Sequence, residues 1–248
     1  MAFQNPFGSE LAARRYAAGR LDVHAEFARR IVGGLGGRRP SRTLDIGCGT
    51  GLSTCALAAL GPVVGIDVSV PMLREAARSR LRLVRGRAES LPFPAASFDL
   101  VTMGSAFHWC EPGPLGAEVR RVLAAGGHLA VFDHCLLGRM QGEPRFTAWF
   151  EAYKTRFVRP PRHPAFDATR EGGFVPVAHE RFEHNLTQSL DALVGYVTSQ
   201  SNVLAAVAAG TVSMDDAEAE VRTALAPLFG GGTAPISYRG DLDLLRKR

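Results

Sequence analysis

The sequence predicts an α/β fold in which helices cover both faces of a mainly parallel β-sheet. Between residues 43 and 135, apolar runs of strand length alternate with segments whose apolar residues recur at helical spacing. The first apolar run is followed directly by three glycines at alternate positions, Gly47, Gly49 and Gly51. With 248 residues, 46% of them hydrophobic, the chain is long enough to bury a full-sized core. We therefore predict a single domain over residues 1–248.

Composition argues against several classes of protein. No apolar run approaches the roughly 20 residues that span a bilayer, and residues 1–6 lack the basic and apolar pattern of an export signal. The four cysteines show neither disulfide nor metal-ligand spacing, so we interpret them as reduced thiols. We expect a cytoplasmic protein without membrane contact or bound metal, either monomeric or homodimeric.

The formal net charge is +5, and nearly all basic residues are arginines because lysine occurs only at positions 154 and 247. We favour scattered, solvated arginines over a nucleic-acid footprint, so nucleic acid is not an expected partner. A third interpretation is an attractive field for an acidic substrate. Charge alone does not choose between these interpretations.

The regular elements are predicted from apolar spacing, glycines and capping residues. Two helices come first, over Ser9–Ala18 and Asp22–Leu35, and Asp22 is expected to cap the second. The next elements are a strand at Leu44–Ile46, a helix from Leu52, a strand at Val63–Asp67, a helix capped by Ser69, strands at Leu81–Val84 and Ser97–Met103, a helix through Leu115, Val119 and Val122, a turn at Gly126-Gly127 and a strand at His128–Cys135.

The composition changes beyond Leu136. An aromatic stripe at helical spacing is interpreted as core packing, with a roof over a substrate pocket as the alternative. The stripe consists of Phe146, Trp149, Phe150, Tyr153 and Phe157. The remaining predictions are a proline-rich loop at Val158–Phe166, a strand at Phe174–Asn185, a helix at Leu190–Val197, a helix whose first turns carry Asp215 and Asp216, a break at Gly230–Gly232 and a final edge strand at Ile236–Leu245.

A glycine-rich turn between a strand and a helix is typical of nucleotide-binding βαβ units. Asp67 lies 20 residues after Gly47, the spacing at which such units place a carboxylate against ribose hydroxyls. A dinucleotide site normally has glycine or alanine where this chain has Leu52, and Asp45 would repel a pyrophosphate. S-adenosylmethionine has no phosphate and carries a cationic sulfonium and amino group. The residues therefore favour S-adenosylmethionine over a dinucleotide.

Four motifs follow one another over residues 43–135. They are Asp45-x-Gly47-x-Gly49-x-Gly51, Gly65–Ser69 with Met72-Leu73, Gly86–Phe93, and Ser97–Val101 with Ala106–Trp109. Together they resemble class I S-adenosylmethionine-dependent methyltransferases, and the last two resemble the small-molecule branch that includes trans-aconitate methyltransferase-like proteins. The resemblance implies a Rossmann-like, mainly parallel seven-stranded sheet with a final antiparallel edge strand. It also implies an N-terminal helical cap at 1–36, a cofactor-binding core at 42–135, and a substrate-pocket insertion with the C-terminal strands at 136–248.

The resemblance also assigns residues to the cofactor. Arg20 is expected to pair with the cofactor carboxylate and Tyr16 to close the site from water, with a surface arginine and a packed tyrosine as the alternative. Met72 is assigned to the adenine side, although simple core packing is common for methionine at helical spacing. The full predicted set is Tyr16, Arg20, Asp45, Gly47, Cys48, Gly49, Gly51, Asp67, Val68, Met72, Ala88, Glu89 and Ser105.

His108 and Trp109 are the predicted substrate residues because they follow the fourth strand, at the sheet edge where such folds bind ligands. His108 could act as a general base for a hydroxyl, or only orient an already ionised carboxylate, or simply wall the cofactor pocket. Cys110 is interpreted as an inert thiol. The predicted function is methyl transfer to a small-molecule oxygen, with an RNA or protein methyltransferase, or a non-catalytic cofactor-binding subunit, as alternatives.

Overall fold

The structure is a computed structural model, and it describes residues 6–163 and 173–248. The chain divides into two compact units. The first unit comprises Asp22–Asp133, Arg162–Arg181 and Gly240–Arg248, and the second comprises Met1–Leu21, His134–Pro161 and Phe182–Arg239. The end of the predicted proline-rich loop, from Pro164 to Phe166, lies outside the described residues.

In the first unit, strands and helices alternate along most of the chain, as predicted. Two of the helices bury an apolar stripe at helical spacing, for example Phe27 and Ile31 in the first helix of the unit. The elements are α2 (His24–Gly34), β1 (Thr43–Ile46), α3 (Leu52–Ala58), β2 (Val63–Asp67), α4 (Val70–Ala76), β3 (Arg82–Arg85), β4 (Phe98–Gly104) and α5 (Pro112–Val122), with short 3-10 turns at Ala77–Ser79 and Phe107–Trp109.

The second unit holds five helices among its described residues. They are α1 (Glu10–Gly19), α6 (Arg145–Arg156), α7 (Leu190–Thr198), α8 (Ser201–Ala208) and α9 (Met214–Phe229). Three long strands contribute residues to both units, namely β5 (Leu123–Met140), β6 (Phe174–Ser189) and β7 (Thr233–Lys247). None of the helices that the structure describes is long and apolar enough to cross a membrane.

The seven strands form one sheet in the order β3-β2-β1-β4-β5-β7-β6. Strands β3, β2, β1, β4 and β5 pair in parallel, and Asp45 of β1 lies opposite Gly65 of β2 on one side and Thr102 of β4 on the other. The chain thus runs outward from β1 to β3 and then returns to the other side of β1. Open sheets of this kind bind ligands at the carboxyl ends of the strands where the direction of winding reverses, here between β1 and β4.

The predicted fold class is confirmed: the sheet has seven strands, is mostly parallel and has antiparallel strands at its edge. One placement differs, because β7, the last strand in sequence, lies between β5 and β6, so β6 is the outermost strand at that end. The sequence pattern does not reveal this insertion, since a strand one place in from the edge has the same alternation as an edge strand.

Two local predictions are wrong. Asp22 does not cap α2, because the helix begins at His24 and its N-cap is Val23, without a side-chain hydrogen bond. Gly126 does not separate a helix from a new strand, since β5 already begins at Leu123. Ser69 does cap α4, as predicted, by accepting a hydrogen bond from the Met72 N–H at 3.4 Å.

Each unit has its own buried apolar cluster. In the first unit this cluster includes Leu44, Ile46 and Ile66 from the parallel strands. In the second unit the cluster includes Phe146, Tyr153 and Phe157 of the aromatic stripe, together with residues of α7, α9 and β7. The stripe therefore contributes core packing, and its interpretation as the roof of a substrate pocket stays a prediction.

Candidate functional site

The turn between β1 and α3, residues 47–51, is called the glycine loop here. The N–H groups of Gly47 and Cys48 donate hydrogen bonds to the carbonyl of Ile66 at 2.8 and 3.1 Å, which ties the loop to the end of β2. Gly47, Gly49 and Gly51 have φ values of +68°, +54° and +85°, a left-handed conformation that side chains with a Cβ disfavour. The loop geometry therefore accounts for glycine at all three alternate positions.

Two of these glycines also have no room for a side chain. A Cβ on Gly47 would overlap the Cβ of Ala106, which follows β4, and a Cβ on Gly51 would lie 2.7 Å from Leu81 Cδ1. Close packing within the protein is therefore a second reason for glycine at these two positions.

Asp45 lies beneath the glycine loop and is completely buried. Its carboxylate accepts hydrogen bonds from three hydroxyl groups, those of Ser53 at 2.6 Å, Thr54 at 2.7 Å and Thr102 at 2.8 Å. Burial raises the pKa of Asp45, and the three hydroxyl donors oppose that rise. Asp45 therefore acts on the site by linking β1, α3 and β4, and none of its surface is accessible for direct contact with a ligand.

Asp67 ends β2, and its carboxylate accepts two backbone hydrogen bonds. Gly49 of the glycine loop donates to Oδ2 at 2.9 Å, and Ser69 at the start of α4 donates to Oδ1 at 2.8 Å. Burial raises the pKa of Asp67, while these N–H groups oppose the rise. Each oxygen keeps a lone pair for a further donor, as a ribose diol requires.

Thr50, within the glycine loop, has a buried hydroxyl with no hydrogen-bond partner among the described residues. Such an unsatisfied group is unusual in a folded protein and costs free energy unless a water or ligand supplies a partner. Together with the bare glycine backbone and Asp67, it fits a site for a ligand with a sugar and polar substituents, and so for the predicted cofactor.

The predicted adenine-side residues lie in the first unit. Met72 is buried, and its Cε is 3.8 Å from the position that a Cβ on Gly49 would take. Val68 is 45% exposed although it is apolar. Ala88 is buried, and Glu89 accepts a hydrogen bond from the Glu111 N–H at 3.1 Å. An exposed valine beside Asp67 offers an apolar surface to a planar base.

The segment after β4 carries the predicted substrate residues. Ser105 has a left-handed φ of +51°, and its hydroxyl bonds to Asp133. His108 is 7% exposed in the 3-10 turn, and its carbonyl accepts the N–H of His163 at 3.0 Å. The guanidinium of Arg162 lies 5.3 Å from the ring centroid of Trp109. A cation is thus held beside the two predicted substrate residues.

Tyr16 and Arg20 belong to the second unit. The guanidinium of Arg20 lies 4.4 Å from the Tyr16 ring centroid and 5.7 Å from that of Tyr196, and it donates to the carbonyl of Ser199 at 3.4 Å. Its Nε is buried and has no hydrogen-bond partner among the described residues. Arg20 is therefore a held cation rather than a freely solvated surface arginine.

The structure brings the remaining predicted residues to one edge of the first unit. The glycine loop, Asp67 and the Ser105–Trp109 segment follow β1, β2 and β4, which are adjacent parallel strands in the sheet. Strands β1 and β4 are also the pair at which the winding reverses. This edge is the position where an open α/β sheet binds its ligand.

Sequence reasoning missed several residues that shape this edge. Thr102 carried a weak signal, because it follows the apolar pair Leu100 and Val101 where another apolar residue would be usual. Ser53 and Thr54 carried a similar one, since hydroxyl residues replace apolar ones in the first turn of a buried helix. Asp133 and Arg162 gave no signal, because their roles depend on contacts made only in the folded chain.

The buried cysteines bear on thiol and metal chemistry at this site. Burial raises the pKa of the Cys110 thiol to about 12 and also raises that of Cys48. Both thiols are therefore protonated near neutral pH, which makes them poor nucleophiles. Over residues 6–163 and 173–248, no group of three or more metal-ligating side chains is found.

Comparison with known proteins identifies this region. Residues 44–131 match the model of a family described as a methyltransferase domain. Residues 44–131 form a class I methyltransferase domain. The matched segment of the methyltransferase domain contains the glycine loop, Asp67, His108 and Trp109. The predicted class I family is thereby confirmed, whereas the trans-aconitate-like branch stays a prediction.

Two curated relatives align with the chain. Malonyl-[acyl-carrier protein] O-methyltransferase from Herminiimonas arsenicoxydans is 36% identical over 120 residues, covering 46% of each chain. Demethylmenaquinone methyltransferase from Staphylococcus aureus (strain JH9) is 36% identical over 151 residues, covering 56% of this chain and 60% of the relative. The matches thus span about half of the length of these relatives.

A solved structure agrees over a longer stretch. The structure, from Anaeromyxobacter dehalogenans and described as a type II methyltransferase, has a TM-score of 0.66 at 24% identity and covers 90% of this chain and 95% of that one. At this identity the likeness establishes the fold alone. The likeness in fold therefore extends beyond residues 44–131.

Proposed function

We propose that the protein transfers a methyl group from S-adenosylmethionine to an oxygen atom of a small-molecule acceptor, with a carboxylate as the first choice and a hydroxyl as the second. When bound, S-adenosylmethionine supplies a methyl group activated on a sulfonium. The glycine loop and Asp67 would hold it, with Val68, Met72, Ala88 and Glu89 beside the adenine.

One observation carries the choice of cofactor. Asp45 places a buried carboxyl group directly beneath the glycine loop, where it is held by three hydroxyl donors. A loop that received a pyrophosphate would gain from positive charge at this position, and an acidic group opposes it. A ligand with a cationic sulfonium and ammonium, and no phosphate, suits the same group.

The first experiment is calorimetric titration of the purified protein with S-adenosylhomocysteine, the product form of the cofactor, and in parallel with NADH. We expect micromolar binding of S-adenosylhomocysteine and no heat of binding with NADH. Binding of NADH alone would reject the proposed cofactor and the proposed reaction with it.

The pH dependence of cofactor binding gives a sharper test of the proposed role of Asp67. Ribose hydroxyls donate more strongly to an ionised carboxylate than to a neutral acid, so affinity is full above the pKa of Asp67 and falls as pH drops through it. Because burial raises this pKa from the ordinary value of 3.8, the loss begins at a higher pH than for an exposed aspartate. We expect Asp67→Ala to weaken S-adenosylhomocysteine binding about 10- to 100-fold at neutral pH, a loss of about 1–3 kcal/mol, and to abolish this pH dependence.

The control for this titration is Asp99→Ala, because Asp99 is bonded to Ser41 and Arg42 outside the glycine loop. Asp99→Ala should retain both the affinity and the pH profile of the wild type. Equal affinities of Asp67→Ala and wild type would rule out Asp67 as the ribose ligand.

The acceptor class is argued from charge. His108 and Trp109 follow β4, and Arg162 holds a permanent positive charge beside the Trp109 ring. A cation attracts and orients an anionic acceptor, and a carboxylate arrives already ionised. His108 then orients the acceptor oxygen, excludes water by its burial and has no proton to remove. The O-methyltransferase among the relatives supports oxygen as the acceptor atom.

His108→Gln separates the two acceptor classes. Against a carboxylic acid we expect kcat/KM to fall less than tenfold, because glutamine still donates a hydrogen bond. Against a hydroxyl acceptor such as a phenol, loss of a general base would lower kcat by about 10²–10⁴. Arg162→Gln should raise KM for a carboxylic acid. Initial-rate measurements on a panel of both acceptor types check this, and unchanged rates in both variants on every acceptor would remove these residues from the reaction.

A further inference from the structure

The positive charge of this protein is concentrated in one segment. Residues 74–87 contain six arginines and a single acid, Glu75, an excess of five positive charges that equals the net charge of the whole chain. All six arginines are exposed: Arg74, Arg78, Arg80, Arg82, Arg85 and Arg87. The rest of the chain therefore has a formal net charge of zero. The interpretation of the arginines as scattered, solvated residues is incomplete, because this segment holds the excess positive charge.

This segment, called the arginine edge here, lies in the first unit at one end of the sheet. It comprises the end of α4, the 3-10 turn, β3 and the start of the next loop, and β3 is the outermost strand. Arg85 lies opposite Asp67 in the parallel register of β3 and β2. The arginine edge thus reaches the level of the residue that holds the ribose in the proposed function.

Half of these arginines are not paired with an acid within the part of the chain that the structure describes. Arg78 pairs with Glu75 at 3.1 Å and Arg87 with Glu89 at 3.4 Å. Over the described residues, Arg80, Arg82 and Arg85 form no ion pair. Three exposed guanidinium groups on one short edge therefore lack a carboxylate, which is the group that their planar fork binds best.

Protection of an edge strand against aggregation does not require charge of a single sign. The opposite edge strand, β6, shows the usual solution, because its Glu180, Arg181 and Glu183 are each paired with an opposite charge on a neighbouring element. Both edges therefore carry charges, but on the arginine edge six of the seven charges are positive, and three of the arginines form no ion pair among the described residues.

We propose that the arginine edge is the docking surface for a small acidic protein that presents the acceptor on a flexible tether. The proposal rests on the proposed function and names the form in which its carboxylate acceptor arrives. Strand β4 lies three strands from β3, so about 14 Å of tether must cross from the docking surface to the level of His108. An acyl carrier protein has this chemistry, and one curated relative acts on a carrier-bound malonyl group, as its name states.

Nucleic acid is the less favoured partner for this surface. Recognition of single-stranded RNA uses aromatic side chains that stack on the bases, and residues 74–87 contain none. The segment offers charge alone, which fits a row of carboxylates on a folded acidic protein.

The test is the affinity of the full chain for a fluorescently labelled holo-acyl carrier protein, measured by anisotropy at 50 mM and 200 mM salt. The test variant is Arg82→Glu with Arg85→Glu. The control is Arg38→Glu with Arg39→Glu, which reverses the same number of exposed charges before the amino end of β1. We expect the test variant to bind the carrier protein at least tenfold more weakly than the wild type, and the control variant to bind it within twofold of the wild type. Binding of the wild type should be weaker at 200 mM than at 50 mM salt.

Two outcomes would overturn the proposal. One is that the wild-type protein does not bind the carrier protein, or that the variant Arg82→Glu with Arg85→Glu binds it as tightly as the wild type does. The other is tighter binding of a 20-nucleotide RNA that the same variant abolishes, which would assign the arginine edge to nucleic acid. Titration with S-adenosylhomocysteine, expected to be unchanged in both double variants, reports on the proposed function separately and also verifies folding.

Discussion

Gly47→Ala is expected to weaken S-adenosylhomocysteine binding by at least about 100-fold. The substitution forces a residue with a Cβ to adopt a φ of +68°, which costs about 1–2 kcal/mol. The new methyl group also overlaps the Cβ of Ala106, so the glycine loop or the segment after β4 must move. Either displacement disturbs the surface against which the cofactor is proposed to lie. Calorimetric titration of the variant measures the loss.

Two further variants separate the two causes. Gly126 has a φ of +69° but open space where a Cβ would lie, so Gly126→Ala carries the conformational cost alone and should leave cofactor affinity unchanged. Combining Gly47→Ala with Ala106→Gly removes the overlap and should restore most of the lost affinity. If the double variant binds as poorly as Gly47→Ala, the close approach of Gly47 to Ala106 is not the cause of the loss.

Asp45→Ala should lower the free energy of unfolding by about 3 kcal/mol. The substitution leaves the hydroxyls of Ser53, Thr54 and Thr102 without their shared acceptor in a fully buried position, and it opens a small cavity. Urea denaturation of the ligand-free protein measures this loss. S-adenosylhomocysteine affinity should fall in the same variant, because the linkage between the glycine loop, α3 and β4 is lost.

A matched control is Asp99→Ala, which removes a carboxylate from the surface. Asp99 also bonds to a hydroxyl, that of Ser41, and lies near Arg42, but its side chain is 34% exposed and water can replace these partners. We expect a loss below about 1 kcal/mol. Equal losses for Asp45→Ala and Asp99→Ala would show that burial of the Asp45 cluster does not stabilise the fold.

The first half of the fold was predictable because its signals are local. A stretch of 25 consecutive residues, from Thr43 to Asp67, contains the first strand, the glycine loop and Asp67. The strand was predictable from apolar spacing, and the loop from the conformations that only glycine adopts readily. The Ser69 cap was predictable for the same reason, since a capping side chain and the N–H that donates to it lie within one helical turn.

The parts that failed depend on distant contacts. Nothing near β7 in the sequence states that it enters the sheet between β5 and β6. The surroundings of Arg20 were equally hidden, because Tyr196 and Ser199 lie more than 170 residues away. The role of Asp45 was only half predicted: its charge suited the cofactor, but the three hydroxyls that bury it are set by packing of α3 and β4 against β1.

The hydrogen bond between Asp45 and Thr102 has a consequence for biosynthesis. Thr102 lies 57 residues after Asp45, so a ribosome has already made β1, the glycine loop, β2 and β3 before it makes the third hydroxyl donor. Until β4 docks, the Asp45 carboxylate must stay hydrated rather than buried, because an incompletely bonded buried carboxylate is costly. We therefore expect the glycine loop to reach its final form only after the fourth strand has left the ribosomal tunnel, late relative to the loop's own synthesis.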